Sequence, residues 1–250
     1  MTNTRAAVVT GAASGVGSAV AKRLASDGFA VAVADLTEAA CWPVVEYIRS
    51  VGGEAIAVGL DTSDEQEVHF AIEYVGAELG GPTVVVNNVG IAGDRLLHKM
   101  AAEDRDAGMA IHLRGSFLIS RAAQPFMIDR GWGRIINISS ASGRGSRGQN
   151  YATKDGGMQG FTKALAMEFG KFGVTVNAIT SGYSDATLES DTGERFGVEL
   201  EEFKRARFLQ LSSDRIGLTD SIAHAVSFYA GENSGYISEQ VLYVGEGIHG

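Results

Sequence analysis

The sequence predicts an α/β protein built on a doubly wound parallel sheet, and three observations carry that expectation. Short β-branched runs alternate with longer amphipathic stretches along the 250 residues. The runs are continuously apolar rather than alternating, the pattern of strands covered by helices on both faces. Glycines stand at the ends of these runs, where tight turns fall. Alternating β and α segments joined by short turns give parallel pairing, and right-handed crossovers leave few other topologies.

Strands are expected at 6–10, 30–34, 55–59, 84–87, 134–139, 174–179 and 240–244. Helical patterns lie near 15–27, 37–51, 63–80, 99–129, 151–171 and 219–230. No linker, repeat or low-complexity segment divides the chain, so one domain is expected over 1–250. Residues 184–212 break the rhythm: they are charged, hold Gly193 and Gly197, and follow a strand end. Ligands in such sheets bind beyond the carboxyl ends of the strands, so this segment reads as a substrate lid. A plain surface insertion is the alternative.

Composition excludes several function classes. The chain is 45% hydrophobic with a formal charge of -9, and no basic cluster marks it for nucleic acid. Cys41 is the single cysteine, which rules out an internal disulfide and points to a cytoplasmic setting. The N-terminus runs directly into a strand and lacks the build of a signal peptide. No apolar run reaches the ~20 residues of a membrane span. His69, His98, His224 and His249 have no metal-ligand spacing, so no metal is expected.

The chemistry begins at Thr10-Gly11-Ala12-Ala13-Ser14-Gly15-Val16-Gly17, between the first strand and the first helix. Gly11 suits the tight turn, Gly15 lets backbone approach a pyrophosphate, and Gly17 lets helix and strand pack closely. The N–H groups and positive dipole end of the helix then face the phosphates. Asp35 follows the second strand, eighteen positions past Gly17. A carboxylate there accepts from a ribose 2′-hydroxyl and repels a 2′-phosphate, and no Arg or Lys stands beside it. The expected cofactor is therefore NAD(H) rather than NADP(H). The competing reading makes Asp35 only a helix N-terminal residue ahead of Thr37.

The spacing T-G-x-x-x-G-x-G resembles that of the short-chain dehydrogenase/reductase family, and the resemblance runs over nearly the full length. Asn87-Asn88-Val89-Gly90 is similar to the family's segment after strand four, and Asp61-Thr62 to its acidic position near the adenine. Gly133 to Ser140 resembles the strand that ends in the catalytic serine. Phe161-Thr162-Lys163-Ala164-Leu165-Ala166 and Val174 to Ile179 resemble the helix and strand that follow. The flavour is that of the 3-oxoacyl carrier-protein reductase-like branch. The resemblance implies a Rossmann-type fold and a homo-oligomer, dimer or tetramer, formed partly through helices 99–129 and 151–171. It implies hydride transfer between a nicotinamide and a small carbonyl/alcohol substrate. Cofactor contacts are implied at Gly11, Ser14, Gly15, Val16, Gly17, Asp61, Thr62, Asn88, Gly90, Tyr151, Lys154, Gly182 and Thr187.

The same resemblance implies that Tyr151 is the acid/base and that Ser140 orients the carbonyl oxygen. The interval between them, eleven positions, is shorter than the family usually shows. Ser139, one strand position earlier, is expected to face the core side instead. Arg144 and Arg147 lie in the intervening loop, as solvated side chains or as partners for an acidic substrate. Two family roles are not matched. His112 stands where the family has an asparagine that anchors a water. Asp155 stands where it has a lysine, because the spacing from Tyr151 to Gly160 equals the family's. Asp155 would raise the phenol pKa rather than lower it. Lys154, one position earlier, is rotated by roughly 100° around the helix. It could swing back through a local 3₁₀ turn, with loosening at Gly156-Gly157. Asp155 could instead accept from ribose hydroxyls or pair with His112 or Lys154. The catalytic candidates are thus Ser140, Tyr151, Lys154, Asp155 and His112. The rival readings are a non-redox enzyme and a binding protein that keeps the dinucleotide without turnover. Downstream, Ser181-Gly182 replaces Pro-Gly, Ala186 falls where a threonine is usual, and Glu239 and Gly245-Glu246-Gly247 fall where relatives carry glycine and Asp-Gly-Gly.

Overall fold

The structure is a computed structural model that describes residues 5–90, 97–140, 149–182 and 217–245. Seven strands form one sheet: β1 (Ala6–Thr10), β2 (Ala30–Asp35), β3 (Ala55–Gly59), β4 (Pro82–Asn87), β5 (Gly133–Ser140), β6 (Val174–Ser181) and β7 (Val241–Val244). Between them run α1 (Gly15–Ser26), α2 (Glu38–Ser50), α3 (Glu65–Leu79), α4 (Ala102–Met109), α5 (Gly115–Arg130), α6 (Gln149–Phe169) and α7 (Thr219–Ala230). The spatial order is β3-β2-β1-β4-β5-β6-β7, and every neighbouring pair is parallel. The expected fold class is the one observed.

Side-chain alternation divides the core into two layers. Ala7, Val9, Val31, Val33 and Ile136 pack against Leu24 of α1, Ile48 of α2 and Val226 of α7. Val8, Ala32, Ala34, Ile135 and Val176 pack against Ile72 of α3, Ile119 of α5 and Phe169 of α6. Both faces are buried, which is why the strands carry no polar alternation. The order of strands reverses between β1 and β4, and that switch point opens a crevice at the carboxyl ends.

One expected helix proves to be several pieces. The pattern at 99–129 divides into a 3₁₀ turn at Leu97–Lys99, α4, a π-helical turn at Ala110–Arg114, and α5. A π turn is a local widening of the helix with no residue type of its own, so the sequence pattern does not reveal it. α6 differs the other way. It is α-helical from Gln149 through Gly156 and Gly157 to Phe169, without the 3₁₀ turn considered for Lys154. Residues 184–212, Arg144 and Arg147 lie outside the described residues.

A buried polar network ties β4, β5, α5 and α6 together beneath the crevice. Asn87 Nδ2 donates to Asn137 Oδ1 at 2.8 Å and Ser120 Oγ at 3.2 Å. Asn137 Nδ2 donates to Thr162 Oγ1 at 2.9 Å, which donates to Met158 O at 2.8 Å. Hydrogen bonds in such a low-dielectric interior are strong and directional, so they fix how α6 sits against β5. No helix among the described residues is long and apolar enough to cross a membrane.

Candidate active site

A four-residue turn joins Thr10 to Gly15. Gly17 cannot carry a side chain, since a Cβ there would lie 2.1 Å from the Gly11 carbonyl oxygen. Asn88, just past β4, ties the turn from the far side: its Nδ2 donates to Thr10 O at 3.0 Å and Gly11 O at 3.2 Å. The Asn88 and Val89 amides both donate to Thr10 Oγ1. Ser14 is the exposed N-cap of α1 and makes no side-chain capping bond. The first N–H groups of α1 lack intrahelical partners and carry the positive dipole end, a fit for a diphosphate.

Asp35 closes β2 beside this turn. Its Oδ2 accepts from Ala13 N at 3.0 Å and its Oδ1 from Leu36 N at 2.8 Å. α2 is capped by Thr37, whose Oγ1 accepts from Ala40 N at 3.3 Å, so capping does not account for Asp35. Asp61 holds its own turn, Oδ1 accepting from Ser63 N and Ser63 Oγ at 2.8 Å each. Thr62 is buried against Gly115. Gly182, after β6, donates its amide to Val244 O at 2.9 Å and packs on Gly245.

At the crevice floor the π turn directs His112 inward. Its ring passes so close to Gly90 that a Cβ there would meet Nδ1 at 3.1 Å. Nδ1 lies 3.2 Å from the Val89 carbonyl oxygen. A carbonyl only accepts, so Nδ1 carries the proton and Nε2 keeps its lone pair. Nε2 faces Asp155 Oδ1 at 3.8 Å, beyond hydrogen-bond range. Asp155 Oδ1 accepts from Ser139 Oγ at 3.0 Å. Lys154 and Asp155 are each 1% exposed. Burial, and then the ammonium of Lys154, lowers the His112 imidazole to about 4, against the opposing pull of the Val89 bond. The ring is therefore neutral near pH 7, and its approach to Asp155 is not an ion pair.

The family model described as short chain dehydrogenase matches residues 5–195. The chain belongs to the short-chain dehydrogenase/reductase family. It is 40% identical over 242 residues to short-chain reductase protein NovJ of Streptomyces niveus, covering 96% of this chain and 92% of that protein. It is 34% identical over 248 residues to the 3-oxoacyl-[acyl-carrier-protein] reductase FabG of Pseudomonas aeruginosa, covering 98% and 97%. Nodulation protein G of Azospirillum brasilense is 36% identical over 252 residues, covering 97% of each. These matches make the chain an oxidoreductase of a family that binds nicotinamide dinucleotide.

Against the family's pattern, the structure brings His112, Lys154 and Asp155 together and gathers the glycine turn, Asp35 and Asn88 a short way off. Ser140 ends β5, and Tyr151 lies one helical turn before Asp155 on α6. The side chains of Ser140 and Tyr151, and all of Thr187, lie outside what is described. Two groups escaped the sequence reading. Ser139, expected to face the core side, is buried but donates to the site's carboxylate on α6, so it does not merely fill the core. The Val89 carbonyl fixes the His112 tautomer. A backbone acceptor leaves no trace in sequence, but the doubled serine of Ser139-Ser140 was a usable signal.

Proposed function

We propose that the chain interconverts a carbonyl and a secondary alcohol with NAD(H) as cofactor. The observation that carries the cofactor choice is the Asp35 carboxylate, held at 3.0 Å by the amide of Ala13 inside the glycine turn. An anion fixed there favours a ribose 2′-hydroxyl and opposes a 2′-phosphate. Bound NADH supplies the hydride. The α1 N-terminus, Ser14, Gly15 and Val16 hold the diphosphate, and Asp61, Thr62, Asn88, Gly90, Gly182 and Thr187 complete the contacts. Ser140 orients the carbonyl oxygen and Tyr151 gives it the proton. Buried Lys154 is the cation inside the site, a role supported by its pull on His112. It is the improvised counterpart of the family's lysine.

The domain spans 1–250 with 184–212 as its lid, acts in the cytoplasm, and assembles as a dimer or tetramer. Exposed Phe117 on α5 and Met167 on α6 suit the expected helical interface. Titration with NADH and NADPH, followed by turnover of ketones and 3-oxoacyl thioesters, tests the reading. NADH is expected to bind more tightly and to be consumed. Preference for NADPH would sink the role of Asp35.

A second reading is favoured by one observation: Asp155, a carboxylate bonded to Ser139, holds the helix position that precedes Gly160 by five residues, where an ammonium is usual. It makes the chain a dinucleotide-binding protein, or a non-redox enzyme using His112, Tyr151 and Asp155. NADH binding with no turnover of any carbonyl would select it.

A further inference from the structure

The turn Asp61-Thr62-Ser63 joins β3 to α3 at the carboxyl edge of the sheet, where the proposed contacts to the adenosine half of the dinucleotide lie. Its form is set locally. Asp61 Oδ1 accepts from the amide and the hydroxyl of Ser63, Asp64 N donates to Asp61 O at 3.1 Å, and Glu67 Oε2 accepts from Asp61 N at 2.8 Å. Bonds of such short span fix the shape of a turn but not its place beside the crevice.

The place is fixed by ties from farther away. On the β2 side, Leu60 N donates to Asp35 O at 2.8 Å. On the other side stands the π turn at Ala110–Arg114. Arg114 Nη1 donates to Ser63 O, and Gly115 sits so close to Thr62 that a Cβ there would meet Oγ1 at 3.0 Å. Among the described residues, Arg114 is the one side chain from beyond α3 that bonds the backbone of this turn. Glu65 does not account for Arg114. Its carboxylate lies 2.5 Å from Arg121 Nη2 and 3.8 Å from Arg114 Nη2. Arg121 therefore satisfies it, and a long, half-exposed ion pair contributes little beside a charge-assisted bond to a carbonyl.

We infer that Arg114 is a positioning residue for dinucleotide binding, holding the Asp61-Thr62-Ser63 turn where the adenosine half docks. The π turn then serves both ends of the crevice: His112 faces the floor, and Arg114 clamps the turn. The ligand rests on the cofactor reading above; the clamp rests on the geometry alone.

The test uses the full chain as wild type, Arg114→Met, Arg114→Lys and Glu65→Gln. Methionine keeps an unbranched stem without donors, and lysine keeps a cationic donor. Binding of ADP-ribose is read by calorimetry and of NADH by fluorescence titration. Arg114→Met is expected to weaken both by the same factor, about three- to ten-fold. Arg114→Lys should stay within about two-fold of wild type, and Glu65→Gln should match it. In turnover, Arg114→Met should raise KM for NADH and leave kcat unchanged. ADP-ribose bound equally by wild type and Arg114→Met would overturn the inference. So would Glu65→Gln reproducing the loss, since the ion pair is then the cause. An NADH loss well beyond the ADP-ribose loss would also overturn it, by placing the defect at the nicotinamide half. A wild type that binds no ADP-ribose would instead sink the cofactor reading. The clamp is then judged by amide hydrogen exchange at Ser63 and Asp64, faster in Arg114→Met if it holds and unchanged if it does not.

Discussion

His112→Asn isolates what burying a neutral imidazole does to stability. An asparagine amide can donate to Val89 O in place of Nδ1 and does not titrate. The imidazole falls from its ordinary 6.5 to about 4, chiefly because burial disfavours the charged ring. Between those two values the unfolded chain binds more protons than the folded one, so stability falls as the pH drops through that window. Relative to pH 8, the loss assigned to His112 is about 2 kcal/mol at pH 5 and approaches about 3 kcal/mol below pH 4. With a urea m-value on the order of 3 kcal/mol/M, the wild-type midpoint should drop about 0.7 M further than that of His112→Asn between pH 8 and pH 5. Urea melts of both proteins at one fixed concentration read this directly, because any assembly then contributes equally. Parallel pH dependence in the two proteins would refute the claim that the ring is enclosed and neutral.

Three further outcomes follow from the same geometry. Gly17→Ala puts a Cβ 2.1 Å from Gly11 O, so the turn must shift; NADH binding, read by fluorescence titration, should weaken roughly ten- to hundred-fold while circular dichroism stays native. Asn137→Ala removes one partner from the Asn87 amide, which keeps Ser120, and one from the Thr162 hydroxyl, which keeps Met158 O, and chemical denaturation should show a loss of about 2–3 kcal/mol. Glu239 holds a φ of 68°, a left-handed strain of about 1–2 kcal/mol for a residue with a Cβ. Glu239→Gly removes that strain but loosens the unfolded chain by about 0.4–1 kcal/mol. The net gain of roughly 0.5–1 kcal/mol should raise Tm by about 2 °C in a thermal melt.

Glu239 also illustrates what can be read from sequence. Its place in a glycine position was visible there, and the reason for glycine, a positive φ, is a backbone property that only the structure supplies. The strands were legible because a sheet buried on both faces writes its pattern as unbroken apolar runs. The glycine turn was legible because close backbone approach tolerates one residue type at Gly17. The π turn at Ala110–Arg114 was not, since such a turn has no residue type of its own and its one buried residue is the polar His112. Nor was the partner of Asp155: spacing put the carboxylate in the site, but Ser139 reaches it across sixteen positions and from another element.

The burial of both Lys154 and Asp155 changes how the unusual helix should be tested. Adjacent helix positions point about 100° apart, so two neighbours can both be enclosed only if structure closes around a wide arc of α6. The π turn contributes to that closure, bringing Leu113 against Gly157 and His112 toward Asp155. The enclosed set then holds one ammonium, one carboxyl group and one neutral ring. Asp155→Lys alone does not restore a simple lysine site. It places two ammonium groups in the same enclosure and removes the carboxyl group, and like charges in low dielectric repel strongly. The informative variant is Lys154→Ala with Asp155→Lys, which returns a single cation to the position five residues before Gly160. If the natural pair serves redox chemistry through Lys154, this double variant should match wild-type NADH turnover within about ten-fold, a difference of ~1.4 kcal/mol in barrier. If turnover instead arises only in the double variant, the natural arrangement of Lys154 and Asp155 serves binding or acid/base work, and the oxidoreductase chemistry of the family has been set aside in this chain.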